Sequence, residues 1–180
     1  MAHGWEGEKI RLVPLDKERH IENALLWLND PEITRWIIVG DFPLTRLREE
    51  SWFDKMAKQD EKGVGFAVET LEGEHVGFTG FHNIEWRHGV ATAGTIIGPA
   101  ANWRKGYGHD VIRVRTRYAF EVLGLRMILS EVMAGNDGML RLLEKNGYRE
   151  AGRVPGRWWK RGSFRDAITL YRERDERAGR

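Results

Sequence analysis

Between residues 96 and 109 the chain reads Ile96-Ile97-Gly98-Pro99-Ala100-Ala101-Asn102-Trp103-Arg104-Lys105-Gly106-Tyr107-Gly108-His109. An apolar run of strand character stops at Gly98-Pro99. A basic turn with two glycines follows, and a helical pattern begins directly behind it. Gly106 and Gly108 let the backbone approach a ligand closely, and the free N–H groups of the helix's first turn point at it. The helix dipole and the side chains of Arg104 and Lys105 add positive potential, which suits a phosphate or pyrophosphate.

Two familiar phosphate loops do not match. A P-loop needs Gly-x4-Gly-Lys-Ser/Thr, whereas here the lysine precedes the glycine and no Ser/Thr follows. The dinucleotide fingerprint needs a third glycine where Val111 stands. The remaining pattern, x-x-x-Gly-x-Gly over Trp103–Gly108, resembles the coenzyme A loop of the GCN5-related N-acetyltransferases. Trp103 occupies a place where Arg or Gln is common, and Arg104 replaces a usual glycine. Downstream, Gly135-Asn136-Asp137-Gly138-Met139 through Lys145-Asn146-Gly147-Tyr148 resembles the family's Asn-x-x-Ser/Ala-x-x-x-aromatic-x-Lys-x-Gly-Phe segment. Upstream, Trp27-Leu28-Asn29-Asp30-Pro31 to Trp36 and Phe81-His82-Asn83-Ile84-Glu85-Trp86 are similar to the RimJ/RimL-like branch, as is Gly162–Asp166. The resemblance runs from Lys9 to Glu173.

It implies an α/β fold in which helices flank a mixed, strongly twisted central sheet, in the order β-α-α-β-β-β-α-β-α-β-β. It also implies acetyl-CoA as acetyl donor, with no metal. The pantetheine arm would lie between two splayed parallel strands, 90–97 and 126–133. Ile96, Ile97, Gly98, the loop Trp103, Arg104, Lys105, Gly106, Tyr107, Gly108, His109, and Asn136 would contact it. A backbone N–H near Ile97 would stabilise the developing oxyanion. Three positions the family often uses for acid or base hold Leu143, Met139 and Thr92 here. The remaining candidates for catalytic residues are Glu85, His82 and Glu131. The spacing His82-x2-Glu85-x2-His88 could suggest a metal, but strand residues three apart face opposite ways.

The elements that must hold these residues follow from periodicity and caps. Ile10 to Val13 alternates like a strand. Asp16 caps a helix with Ile21, Ala24, Leu25 and Leu28 on one face, and Asp30-Pro31 stops it. A short helical turn to Trp36 follows, and Thr45 caps a third helix bearing Trp52, Phe53 and Met56. Strands are predicted over 64–70, 75–84 and 90–97. The helix after the glycine loop should bury Val111, Ile112, Tyr118, Ala119, Val122 and Leu123, leaving Arg113, Arg117 and Glu121 to solvent. A strand over 126–133, a helix capped by Asn136 and strands over 148–154 and 164–172 complete the chain.

Composition sets bounds. The 180 residues suit one domain, residues 1–180, with a core that needs no disulfide. There is no cysteine, so no enzyme thiol can carry an acyl group. That fits a cytoplasmic setting, as do the absence of a ~20-residue apolar span and of a signal-like apolar core. The net charge of +2 conceals a basic tail: residues 151–180 hold nine Lys/Arg and four Asp/Glu, or +5, leaving −3 for the rest. Arg157–Arg165 interleaves basic and aromatic residues. That composition can stack and pair with single-stranded nucleic acid, but the resemblance implies a hairpin turn near the acceptor groove or a homodimer contact here, and that role is preferred. The expected activity is direct acetyl transfer from acetyl-CoA to a primary amine acceptor substrate: a small molecule, a polyamine or a protein N-terminus. The alternative is a module that binds acetyl-CoA without turnover, as a sensor.

Overall fold

The computed structural model describes residues 5–58 and 62–175. Its strands are β1 (Ile10–Pro14), β2 (Val64–Thr70), β3 (His75–Glu85), β4 (Val90–Ile97), β5 (Met127–Met133), β6 (Arg149–Lys160) and β7 (Ser163–Glu173). Its helices are α1 (Lys17–Leu28), α2 (Pro31–Thr34), α3 (Arg46–Ala57), α4 (Tyr107–Glu121) and α5 (Asp137–Lys145). The strands form one mixed sheet of seven in the order β1-β2-β3-β4-β5-β7-β6. All neighbours are antiparallel except β4 and β5, the parallel pair joined by α4.

Two apolar clusters fix which helices cover which face. Val111, Ile112, Val114, Tyr118 and Ala119 of α4 and Leu143 of α5 pack on Phe81, Ala93, Ile128 and Val132 of the sheet. On the other face Ile21, Ala24 and Trp27 of α1, Ile33 of α2 and Phe53 of α3 pack on Ala67 and Phe78. Side chains of Asp16, Thr45 and Asn136 cap α1, α3 and α5, as the sequence predicts, and Asp30, read as the stop of α1, also caps α2.

Three expectations need correction. Val122 is 56% exposed at the end of α4 instead of buried. Arg117 is half buried, not solvated, and donates to Glu6 O at 2.7 Å. β6 does not stop near residue 154 but runs on to Lys160. β6 is the sheet's edge strand, and its register shifts between Val154 and Trp158, around Pro155 and Gly156. Edge strands and bulges tolerate proline because no ladder N–H is lost there.

Candidate functional site

The site is built on a fork. Val90↔Met127, Ala91↔Ile128 and Thr92↔Leu129 pair, and there the ladder between β4 and β5 stops. β4 continues against β3 as far as Ile97↔Gly77, and β5 against β7 as far as Met133↔Ala167, so both strands persist while they separate. Among the described residues, Ser130 Oγ donating to Ala93 O at 3.2 Å is the last link across. Gly98 N donates to Val76 O on the β3 side. Backbone groups alternate along a strand, so Thr95 and Ile97 turn theirs towards the gap that β5 has left. An edge of that kind can accept an extended ligand as an extra strand.

Trp103 closes the end of the gap by donating from its indole N–H to Ile97 O (3.2 Å) and Gly98 O (3.1 Å). Arg104 then takes a left-handed φ of 62° and Gly106 one of 89°. The conformation that favours glycine at 104 is therefore kept by an arginine, at a cost of about 1–2 kcal/mol. Gly106 is the N-cap of α4 and offers no side-chain acceptor, unlike the caps of the other four α-helices. The first-turn N–H groups of Tyr107, Gly108 and His109 thus remain for a ligand, at the positive end of a 15-residue helix.

The neighbouring side chains are braced. Lys9 Nζ donates to Lys105 O at 2.8 Å, and Lys105 Nζ to Asn102 Oδ1 at 3.0 Å. Asn146 Nδ2 meets His109 Nδ1 at 3.0 Å, joining α4 to the end of α5. A β-carbon at Gly108 would come within 3.0 Å of Leu142, so this glycine serves close packing of α5 as well. Asn136 Oδ1 accepts from Met139 N at 3.3 Å.

The fork's opposite face, the one carrying α1 and α3, bears the titratable candidates. His82 pairs with Thr92 at the last closed rung, and Glu131 stands two residues beyond Leu129. The register puts all four on one face. Partial desolvation by its neighbours pushes the His82 imidazole below its ordinary pKa. The nearby Glu131 carboxylate pulls it back up, and the Arg115 guanidinium pushes it further down. Alternation predicts that His82 and Glu85 face opposite ways, and here the structure differs. Asn83 takes a φ of 51° in a bulge, and the register jumps from His82↔Thr92 to Glu85↔Val90. Glu85 therefore shares the face of His82, while Ile84 and Ala91 are buried on the other. Glu85 nonetheless lies opposite the start of β4, on the closed side of the fork. Among the described residues no three metal-ligating side chains converge.

Arg115 escaped the sequence reading because charged residues on a helix are expected outside. It is 1% exposed beneath β4. Its guanidinium donates to Thr95 Oγ1 (2.7 Å), Gly94 O (3.1 Å) and Thr79 Oγ1 (3.4 Å). No carboxylate pairs with it among the described residues, and its Nε lacks a partner. The Thr79 and Thr95 pair opposite each other on adjacent strands was the only available hint. Leu143, at a position where the family often has tyrosine, is 1% exposed and belongs to the core.

Two tryptophans roof this face of the fork. Trp27 of α1 packs on Gly98 at the end of β4. Trp36, just past α2, lies where a β-carbon on Gly135 would come within 2.8 Å of its ring. The α1–α2 segment therefore spans the open ends of both separated strands.

This parallel pair, splayed above an uncapped helix start, is the architecture of an acyl-CoA-binding transferase. Comparison with known proteins agrees: the sequence profile of the acetyltransferase (GNAT) domain matches residues 9–149, and the chain belongs to that family of acetyl-CoA-dependent enzymes. An FsC-acetyl coenzyme A-N(2)-transacetylase of Aspergillus fumigatus is 30% identical over 138 residues, covering 71% of this chain but 57% of the fungal protein. An uncharacterized SPbeta prophage-derived N-acetyltransferase, YokL of Bacillus subtilis, is 25% identical over 173 residues, covering 96% of this chain and 94% of its own. The spermidine N-acetyltransferase of Vibrio cholerae, crystallised with CoA and spermine, superposes with a TM-score of 0.84 at 22% identity, covering 91% of this chain and 95% of that one. A GNAT-family acetyltransferase of Bacillus anthracis gives a TM-score of 0.79 at 18% identity, over 93% and 96%. At these identities the two structures establish the fold.

Proposed function

We propose that this chain is an N-acetyltransferase that moves an acetyl group directly from acetyl-CoA to a primary amine, within the RimJ/RimL-like branch. The observation that carries the proposal is the open fork ending at the uncapped start of α4. Thr95 and Ile97 offer the backbone edge to the pantetheine arm, and the N–H groups of residues 107–109 hold the pyrophosphate. Acetyl-CoA supplies an activated carbonyl. The Ile97 N–H faces the gap and stabilises charge developing on the carbonyl oxygen, a contribution typically worth ~3–4 kcal/mol. An alkyl amine has a pKa near ~10 and reaches the site protonated. His82 accepts one proton as the nitrogen attacks, the imidazolium then protonates the departing CoA thiolate, and the second amine proton passes to solvent. Exposed but partly desolvated by its neighbours, this imidazole has a lowered pKa and is neutral at neutral pH, and Glu131 on the same face steadies the imidazolium once it forms. Glu85, on the closed side of the fork, has no direct part. Arg115 fixes β4 at Gly94 and Thr95, where the strands part, and so acts as a positioning residue.

The test is thiol release from acetyl-CoA across a panel of amines, comparing wild type with His82→Ala. Release that depends on amine and falls in the variant supports the proposal. Tight acetyl-CoA binding with no release from any amine would favour a sensor module, the reading that Leu143, Met139 and Thr92 encourage.

A further inference from the structure

Direct transfer requires a base, an oxyanion donor and a cofactor loop. It does not require the cationic cleft beside them. The loop following α2 and the β6–β7 hairpin enclose a space of about 60 Å³ lined by Arg35, Trp36, Lys160, Arg161 and Arg165. That volume admits one small charged group with a water, not a whole acceptor. Lys160 is committed: 3% exposed, it donates to Asp41 Oδ1 at 2.8 Å and Val39 O at 3.1 Å, tying loop to hairpin. Arg161 donates to Pro31 O.

Arg35 and Arg165 differ from these. Their guanidinium carbons sit 5.0 and 5.9 Å from the centre of the Trp36 ring, and neither pairs with a carboxylate among the described residues. The Asp166 carboxylate next to Arg165 is turned instead to Gly156 N, at 2.9 Å. A single ring thus gathers two like charges, with a third guanidinium lining the same space. Cation–π attraction stabilises each arginine there but leaves their N–H donors and mutual repulsion unanswered. An oxyanion satisfies both, because guanidinium groups bind carboxylate and phosphate with paired hydrogen bonds.

The cleft also adjoins the reaction site. Trp36 rests on Gly135, and a β-carbon there would lie 3.9 Å from Arg165 Nη1. Gly135 follows Glu131 by four residues, a span of at most about 13 Å. Granted the acetyl-transfer reading above, on which this rests, we propose that the cleft is the acceptor's anion subsite. The acceptor is then an amine that also carries a carboxylate or phosphate. A polycation such as spermidine would meet three guanidinium groups of its own sign.

Steady-state kinetics at saturating acetyl-CoA test this with matched amines: an ω-amino acid against its amide, an aminoalkyl phosphate against the amino alcohol, and spermidine. The anionic member of at least one pair should exceed its neutral partner about tenfold or more in kcat/KM, chiefly through KM. The pair with the larger ratio identifies the anion. Arg35→Gln, an exposed position, and Arg165→Gln should each move that ratio towards one. Inorganic phosphate should compete with the amine in the wild type and lose that effect in Arg165→Gln. Ratios near one in the wild type, ratios unmoved in both variants, or preference for spermidine would overturn the anion subsite and leave acetyl transfer standing. Absence of thiol release with every amine would sink the transfer reading and this one with it.

Discussion

The two halves of the fork are built differently. In the proposed assignment the cofactor half occupies one stretch of chain, from Ile96 to His109, plus Asn136, and backbone groups make it. The proposed acceptor half draws on α1, the loop after α2, β3, β5 and the β6–β7 hairpin, and side chains make it. A site formed by backbone leaves its mark as glycines and turns at short spacing. A site formed by side chains from five segments leaves no local pattern. The two halves should therefore fail separately: acceptor-side changes should alter turnover and amine KM, and loop changes should alter acetyl-CoA affinity.

The largest effect is expected at His82. His82→Ala should lower kcat/KM roughly 100-fold or more at neutral pH while acetyl-CoA affinity, read by calorimetry, stays put. Equal losses of both would merge the two halves. The pH profile sharpens this. The His82 imidazole is held below its ordinary value, so it is neutral above that value and activity should fall only on the acid side of about 6.5. Glu131 raises the imidazole pKa, so Glu131→Gln should move the acid limb to still lower pH. Movement to higher pH would contradict the assignment.

Gly106→Val should show the converse. A β-branched residue at a φ of 89° is strained, by a cost of order 1–3 kcal/mol, and the loop would relax away from its ligand. Acetyl-CoA affinity should drop roughly 10- to 100-fold with little change in kcat at saturation.

A third difference concerns acid. Behind Trp27, the rings of His20 and His75 pack tilted against each other with centres 4.5 Å apart. His75 is pushed down to about 4, chiefly by burial and then by His20; burial lowers His20 too. Asn23 and Gly77 O hold the two ring nitrogens of His75 at 3.0 Å each. Between about 6.5 and 4 the unfolded chain binds more protons than the folded one. Stability present above pH 6.5 is therefore lost as pH falls through that window. Thermal denaturation should show Tm declining from pH 6.5 to 4, and His75→Gln should flatten the slope. An unchanged slope in the variant would remove His75 from the account.

The smallest effect is expected at Arg104. Arg104→Gly relieves a left-handed arginine, a gain of about 1 kcal/mol offset by the greater freedom of glycine in the unfolded chain. Tm should change by only a few degrees, and acetyl-CoA affinity should fall by less than tenfold if backbone amides dominate. A larger loss would move pyrophosphate binding to the side chain.

The same contrast explains what the sequence made legible. Caps at Asp16, Thr45 and Asn136 and the glycine loop could be read because each depends on neighbours in the chain, whereas the splayed strand pair came from the family resemblance alone. The bulge at Asn83 could not be read, since no glycine marks it, and it reversed the relation between His82 and Glu85. Arg115 was hidden because its burial depends on Thr79, Thr95 and Tyr148, which are far away in sequence. The Trp36 cleft joins residues about 125 positions apart. No periodicity reports that meeting.

Both halves must be occupied together if the acetyl group passes straight from thioester to amine. Initial velocities of thiol release, with acetyl-CoA and an acceptor amine both varied, test this most directly. Intersecting double-reciprocal lines with one acetylated product per thiol are predicted. Parallel lines, or an acetylated enzyme that turns over, would contradict the account.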